Sequence, residues 1–533
     1  MNIEQYKVKI SREKRLKKLP KNIELNIDFN RNIKTKPMRT QSGVAPVAIM
    51  SYPRECPHGT CTFCCGGVNS YFGNIPKSYT GNEPASMRAI RNKFDAYLQV
   101  FNRLEHYVLL GQIPEKVELI IMGGTFLSYP EDYQDKFITD AFKAMNDFGE
   151  LFFADGELNK NKFKEFFEFN LEFKSEERTN KIHEKLLELK NNSKLESEQE
   201  KNETAKIRCI ALVIETKPDW CKEDHINQAL KLGATRIEIG VQSLDDAVLK
   251  RINRGHDVAD TIKCFELLKN AGYKVIAHWM PGLPGVNPDE EVENFKKLFS
   301  DSRFRPDGLK IYPCMIMPGT PLYLQYKKGL FKPLRTKEAA EIVAKAKEAI
   351  PKYCRVYRIQ RDIPTKVTID GVCLTNFRQV VHELMSKNGK KCECIRCREI
   401  KNNRVDWNKI ELNRIDYEAS NGKEVFLSFD DAENDSLLGF LRLRVPNRSF
   451  RKEITKDSAI VREVHVYGEA AKIGETGSIQ HRGLGKKLIL EAERISKQEF
   501  NKNKIIVISG IGVKEYFKKL GYSKDGVYVS KTI

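Results

Sequence analysis

The chain has 533 residues, too long for a single hydrophobic core, and its length suggests about two to four domains. Lys and Arg number 91 against 72 Asp and Glu, a formal charge of +19 with a pI near 9.2. That balance favours a polyanion such as nucleic acid over a membrane or an acidic metabolite, although high Lys and Glu together also suit a thermophile's surface. The 13 cysteines are odd in number and bunched, and there is neither an N-terminal signal-like apolar region nor an apolar run near the ~18 residues of a membrane helix. This reads as a soluble protein of a reducing cytoplasm.

Residues 1–40 hold twelve Lys/Arg and four Asp/Glu. Arg12, Lys14, Arg15, Lys17 and Lys18 fall at helical spacing, the pattern of a basic arm that contacts phosphate or of a solvated amphipathic helix. A first apolar strand, Val44 to Ser51, then leads into Cys56-Pro-His-Gly-Thr-Cys61-Thr-Phe-Cys64-Cys65-Gly-Gly. Closed zinc sites and ordinary iron–sulfur clusters use four protein ligands. Three spaced thiols, Cys56, Cys61 and Cys64, suggest a [4Fe–4S] cluster with one iron open to a cofactor. A zinc knuckle using Cys65 or His58 as fourth ligand, or a disulfide, are the competing readings.

The three-cysteine loop resembles that of radical S-adenosylmethionine (AdoMet) enzymes, with four residues rather than the usual three between the first two cysteines. The altered spacing, the following CGG and the stretch Ser78-Tyr-Thr-Gly-Asn-Glu-Pro84 resemble the catalytic subunit of Elongator and its single-chain archaeal and bacterial relatives. The resemblance runs from about residue 40 to the C-terminus.

A helix is expected from Glu83 to about Leu110, and short apolar runs then alternate with helical patterns. With Val44 to Ser51 they are Val117 to Met122, Ile207 to Ile214, Thr235 to Ile239, Lys274 to Ala277 and Gly308 to Tyr312. This predicts an α/β fold, an incomplete (β/α)6 barrel over 41–319, with chemistry at the strand carboxyl ends. Gly123 and Gly124 end the second strand and would let backbone approach a ligand. Thr125 stands where the wider superfamily often has Glu. Glu215 and Lys217, then Gln242, then His278, end the next three strands. Lys310 and Tyr312 alternate with apolar neighbours, so both can face the lumen. Taken singly, the glycines could form a turn, Glu215 and Lys217 a surface ion pair, and His278 a core histidine; taken together they predict a pocket. The resemblance implies AdoMet contacts at Gly123, Gly124 and Gln242, and catalytic roles for Lys310 and Tyr312.

The insertion at about 150–206 is rich in Lys and Glu, and its end, Asn191 to Lys201, reads as a mobile loop. Residues 320–405 are expected to form a mostly helical bridge. Arg358 and Arg361 could present guanidinium groups to phosphate. Cys394 and Cys397 form a CxxC, half of a zinc site; His382 is a natural third ligand, and Cys314 and Cys392 compete for the fourth position. Unrelated reduced thiols are the alternative.

From 406 to 533 the pattern turns to antiparallel strands. Gln480-His-Arg-Gly483-Leu-Gly485-Lys486 opens a helix, where glycines leave N–H groups free to cradle pyrophosphate. This resembles the acetyl-CoA motif of GNAT acetyltransferases. The resemblance implies cofactor contacts at Val464, His465, Val466, Gln480, Gly483, Gly485 and Lys486, with Tyr516 beside the CoA sulfur as general acid; a buried helix tyrosine is the alternative. A barrel and a GNAT domain on one basic chain point, by resemblance, to tRNA uridine modification. The implied mechanism has an electron donor reduce the cluster and a 5′-deoxyadenosyl radical take hydrogen from the acetyl methyl of acetyl-CoA. The resulting carbon radical adds to C5 of the wobble uridine in the anticodon stem-loop, and thioester hydrolysis leaves a 5-carboxymethyl group. Rival readings are a protein lysine acetyltransferase with a structural barrel, and a non-enzymatic RNA-binding scaffold. Self-association as a homo-oligomer is left open.

Overall fold

A computed structural model describes residues 3–13, 19–20, 25, 42–400, 405–468 and 482–533. Lys14, Arg15, Lys17, Lys18 and Gln480 lie outside the described residues, while Arg12 sits exposed in the last turn of a helix over Ile3–Glu13.

The first sheet has seven parallel strands in chain order: β1 (Val44–Met50), β2 (Lys116–Met122), β3 (Arg208–Thr216), β4 (Arg236–Gln242), β5 (Lys274–Trp279), β6 (Gly308–Ile311) and β7 (Arg355–Ile359). The expected six strands are all present. The seventh corrects the expected helical bridge: Arg355-Val-Tyr-Arg-Ile359 alternates with period two, and it pairs along β6. In β1 and β2 alternate residues are fully buried under the surrounding helices, while Val44, Pro46, Ala48, Lys116, Glu118 and Ile120 face inward and keep partial solvent access.

Two further expectations are corrected. The helix from Glu83 is broken into Pro84–Arg91 and Ala96–Leu109, because Lys93 and Phe94 take left-handed φ values of 52° and 56° and Asp95 caps the second segment through Leu98 N–H. The supposed mobile loop is mostly a helix, Leu195–Thr204, packed on the long helix Glu131–Phe152. Two of its polar residues, Glu198 and Asn202, are buried but satisfied: Asn146 donates to Glu198 at 2.7 Å, and Asn202 accepts from the Cys209 N–H at 2.7 Å.

The second sheet has the order β8-β9-β10-β11-β12-β14-β13, where β8 is Ile410–Glu418, β9 Gly422–Asp431, β10 Ser436–Pro446, β11 Ser458–Val466, β12 Lys504–Val507, β13 Ser523–Asp525 and β14 Tyr528–Thr532. The pairings are antiparallel except β11 with β12. With the helix Leu484–Gln498 packed on β10 and β11, this is the GNAT-type arrangement. Strands β8, β13 and β14 were not foreseen.

Three arginines of this domain, all at most 1% exposed in their side chains, join it to the barrel. Arg462 holds both oxygens of Asp307 at 2.7 Å and Arg442 donates to the Tyr353 carbonyl at 2.6 Å. Arg444 donates to Asn270 at 2.9 Å and to Glu424 at 2.7 Å. Asn270 and Asp307 lie just before β5 and β6, so the second domain is seated at the amino ends of the barrel strands. Buried arginine forks of this kind fix relative orientation more than they add stability.

Candidate functional site

Strand β1 runs straight into the cysteine loop, which is therefore held at the carboxyl ends of the strands. Gly123 and Gly124 play different parts there. A Cβ on Gly123 would lie 2.2 Å from Ser51 Oγ, so this glycine lets β2 close on β1, whereas Gly124 faces the cavity. The three thiols have separate neighbours. Cys56 Sγ lies 3.9 Å from Thr125 Oγ1, and Cys61 Sγ is 3.2 Å from His58 Nε2 and 3.5 Å from Arg254 Nη1; Cys64 Sγ accepts from the Ser78 N–H at 3.3 Å. Burial, reinforced by Cys64 and Cys61, pushes the Cys56 thiol up to about 11. Burial, with Lys217, Arg254 and Lys77 nearby, lowers His58 to about 3, so its ring is neutral. The cations that keep His58 neutral would also balance thiolates carrying a metal.

The donor set fits a cluster better than one ion. Among the described residues, the groups of three or more metal-binding side chains whose ligand atoms all lie within 4.8 Å of one another are Cys392/Cys394/Cys397 and Glu215/Glu238/His278. The loop thiols form no such tight group, and a single zinc with bonds near ~2.3 Å cannot span a wider one. Above them, Gln242 takes a left-handed φ of 71°, and Gln242 Oε1 and Thr216 Oγ1 are buried without hydrogen-bond partners while lining the cavity. Orphaned acceptors of this kind suit a polar cofactor such as AdoMet.

Lys310 and Tyr312 do face the lumen, as their alternation requires. Lys310 bonds Glu238 and lies 3.4 Å from Glu215, which accepts from Tyr79 Oη at 2.9 Å; His278 Nε2 is 3.1 Å from Glu238. Burial alone would lower Lys310, but Glu238, Tyr312 and Glu215 outweigh it and hold the ammonium above its usual value. Burial would likewise raise Glu238, yet Lys310, His278 and Arg236 keep it well below the carboxylate range. Tyr312 is raised by burial and remains a neutral phenol against the edge of His278, with ring centroids 5.5 Å apart. Glu238 was not singled out from the sequence, although it shares its inward parity with Gly240 and Gln242.

In the second domain Gly483 takes a φ of 80° as N-cap of the helix Leu484–Gln498, and among the described residues nothing lies within 4 Å of where its Cβ would be. The first N–H groups of the helix belong to residues that line the cavity. A Cβ on Gly485 would meet Tyr516 Oη at 3.2 Å, which puts Tyr516 beside the loop; it is 40% exposed and not a buried helix tyrosine. Pairing of β11 with β12 ends at Val461 and Val507, though β11 continues to Val466, so the strands part and open a slot lined by Val464, His465 and Val466. His465 packs on Tyr467 with ring centroids 4.3 Å apart.

The bridge brings three cysteines together. Cys394 and Cys397 are 3.6 Å apart, Cys392 completes the group and His382 Nε2 lies 3.9 Å from Cys397 Sγ. The converging group takes Cys392 and not Cys314, which packs instead in an apolar cluster with Phe63 and Leu322. Arg358 is exposed beside Asp362, but Arg361 turns inward and donates to the Ser78 carbonyl, bracing the cysteine loop instead of facing solvent.

One cavity of about 2230 Å³ is lined by Cys56, Cys61 and Cys64, by Lys310 and Tyr312, and by Gly483, Gly485 and Tyr516. The two cofactor-type sites therefore open into a single space.

Residues 50–299 match the radical SAM superfamily model and 306–387 the radical SAM C-terminal domain. The chain is 46% identical over 510 residues to the tRNA uridine(34) acetyltransferase of Methanocaldococcus infernus, covering 94% of this chain and 88% of that protein. It belongs to the Elongator protein 3 family. Elongator complex protein 3 of Saccharomyces cerevisiae is 39% identical over 515 residues, 94% of this chain and 85% of the relative. The structure of archaeal M. infernus Elp3 lacking residues 1–46 superposes with a TM-score of 0.75 at 42% identity, over 92% of this chain and all of that one. The family confirms the radical SAM barrel and the C-terminal domain expected from the motifs. Among the described residues no helix is long and apolar enough to cross a membrane.

Proposed function

We propose that this chain modifies the wobble uridine (position 34) of tRNA, joining acetyl-CoA turnover in the C-terminal domain to AdoMet chemistry at the cysteine loop and leaving a 5-carboxymethyl group. The observation that carries this reading is the single cavity reaching from Cys56 to Gly485. A [4Fe–4S] cluster on Cys56, Cys61 and Cys64, with AdoMet on its open iron, would supply the one-electron reductive cleavage that makes a hydrogen-abstracting 5′-deoxyadenosyl radical, the electron coming from an external donor. Gly124, Gln242 and Thr216 hold AdoMet. Gly483, Gly485 and Lys486 cradle the CoA pyrophosphate, and residues 464–466 receive its arm. Lys310, a fixed ammonium, polarises the thioester carbonyl, and Tyr312 or Tyr516 supplies a proton. Arg358 and the basic arm at 1–40 hold tRNA phosphates, while Arg361 acts by bracing the loop. The bridge cysteines with His382 bind a zinc ion that ties strand β7 to the C-terminal domain. All 13 cysteines are free thiols, in keeping with work in a reducing cytoplasm.

Acetyl-CoA hydrolysis should be slow alone and faster with tRNA, and mass spectrometry of digested tRNA should show carboxymethyluridine only when the cysteines are intact. Gly483→Glu should lose turnover, since a carboxylate would face pyrophosphate. Label from acetyl-CoA accumulating on protein lysines, at a rate indifferent to tRNA and to the cysteines, would instead make the chain a protein acetyltransferase.

A further inference from the structure

The cysteine loop lies at the carboxyl ends of the barrel strands and the CoA-type cradle at their amino ends. A seven-residue strand such as β2 spans about 23 Å at ~3.3 Å per residue. The two sites can work on one molecule only if something crosses that depth.

The interior is built for crossing. A closed barrel is ordinarily filled by branched apolar side chains. Here, beside the apolar inward residues of β1 and β2, polar and partly solvated side chains stand in successive tiers. Nearest the C-terminal domain, Lys274 pairs with Glu463, and Arg355 with Glu399 at 2.8 Å and Tyr467 Oη at 2.7 Å. Next, Arg236 pairs with Glu118, and Tyr357 carries Arg236, Lys274 and Arg355 around its ring at 4.9, 5.4 and 5.5 Å. Beyond them stands the tier of Lys310, Glu238 and His278. Arg236, Lys274 and Arg355 each have a carboxylate partner, while among the described residues Lys116 and Arg208, at the amino ends of β2 and β3, line the cavity with no salt bridge. The ion-paired tiers offer hydrogen-bond donors and acceptors to an uncharged, amide-bearing chain.

The slot between β11 and β12 opens into the same cavity, with one edge of β11 left unpaired beyond Val461. Resting on the acetyl-CoA reading above, we propose that the barrel interior is the binding channel for the pantetheine arm. The nucleotide end stays at Gly483–Lys486 while the two amides and the acetyl thioester extend past Arg236 and Tyr357 to the Lys310 tier. The acetyl group is thus delivered along the barrel axis from below, leaving the mouth above the cysteine loop for uridine.

The test uses full-length, cluster-free protein and a CoA thioester bearing a photoreactive diazirine acyl group, with labelled residues mapped by mass spectrometry. We expect CoA-competed labelling around Ile120 of β2 and Thr235, which precedes β4 and lines the cavity. Ile120→Trp, and the milder Thr235→Leu, should drive the label back to residues 461–468 and 507–517 while CoA affinity stays within about threefold, since the nucleotide cradle is untouched. In the reconstituted enzyme the same variants should cut deuterium transfer from trideuteroacetyl-CoA into 5′-deoxyadenosine at least tenfold. Labelling confined to the C-terminal domain in the wild type would overturn the channel and leave the acetyl-CoA site standing. Absence of any CoA-competed labelling would overturn both.

Discussion

The chain carries two cysteine triads with nearly the same composition and opposite geometry. Cys56, Cys61 and Cys64 sit in a loop between a strand and a helix, each thiol with its own neighbour, at the wall of a large cavity. Cys392, Cys394 and Cys397 converge within 4.8 Å at a short helix, with His382 beside Cys397. The neighbouring Cys392 and Cys397 thiols hold the Cys394 thiol well below its usual value. In the loop, burial and mutual repulsion raise the Cys56 and Cys64 thiols above their usual value. Spacing of one and two residues folds thiols around a point, the geometry of a single ion; spacing of four and two spreads them around a volume, the geometry of a polynuclear cluster.

The largest effect expected from this contrast is at the loop. Replacing Cys56, Cys61 and Cys64 by Ala should abolish the brown colour of anaerobic protein and all 5′-deoxyadenosine formation, while the zinc content is unchanged. Retained AdoMet cleavage would sink the cluster assignment.

A smaller effect is expected at the bridge. Cys394→Ser with Cys397→Ser should take zinc from about one equivalent to none. The bridge should be destabilised by about 4 kcal/mol or more, as is usual when a structural metal is lost. Cys392→Ser should behave like either of these, whereas Cys314→Ser should leave zinc in place. Both outcomes can be read from metal analysis and thermal melts, and zinc equal in mutant and wild type would leave the triad without a metal.

How far these sites were legible differs by the kind of signal. The barrel strands, the cysteine loop and the glycine cradle are local patterns, and each stood where its pattern placed it. Strand β7 had the right period-two signal in Arg355–Ile359, but Arg358 suggested phosphate contact and drew the reading away from a strand, while the role of Arg355, which meets Glu399 and Tyr467 in the lumen, is non-local. Glu238 is a lone carboxylate in strand β4, and its worth depends on Lys310, 72 positions away. The choice of Cys392 over Cys314 is equally non-local, because Cys314 ends a barrel strand whose neighbours fold it into an apolar cluster. The helix Leu195–Thr204 was missed because two of its polar residues, Glu198 and Asn202, which read as solvent-facing, are buried in hydrogen bonds with Asn146 and the Ile207 carbonyl.

The smallest expected effect bears on whether the loop triad is complete. Two residues beside it could serve as a fourth ligand and turn the site into a closed zinc knuckle. Cys65 is buried with its thiol donating to the Tyr79 carbonyl at 3.5 Å, and burial pushes it up to about 12, which disfavours the thiolate a metal needs. His58 presents Nε2 to Cys61 at 3.2 Å with a neutral ring, a geometry in which the imidazole serves as hydrogen-bond partner to the ligand sulfur. Cys65→Ser should therefore keep iron, sulfide and AdoMet cleavage close to wild type. His58→Ala should keep the cluster but alter its reduction potential, because hydrogen bonds to cluster sulfurs tune it; rates of cleavage with a weak reductant should shift by no more than about tenfold. Loss of iron in either variant, with zinc retained in its place, would show that the triad closes on a fourth protein ligand and leaves no open iron for AdoMet.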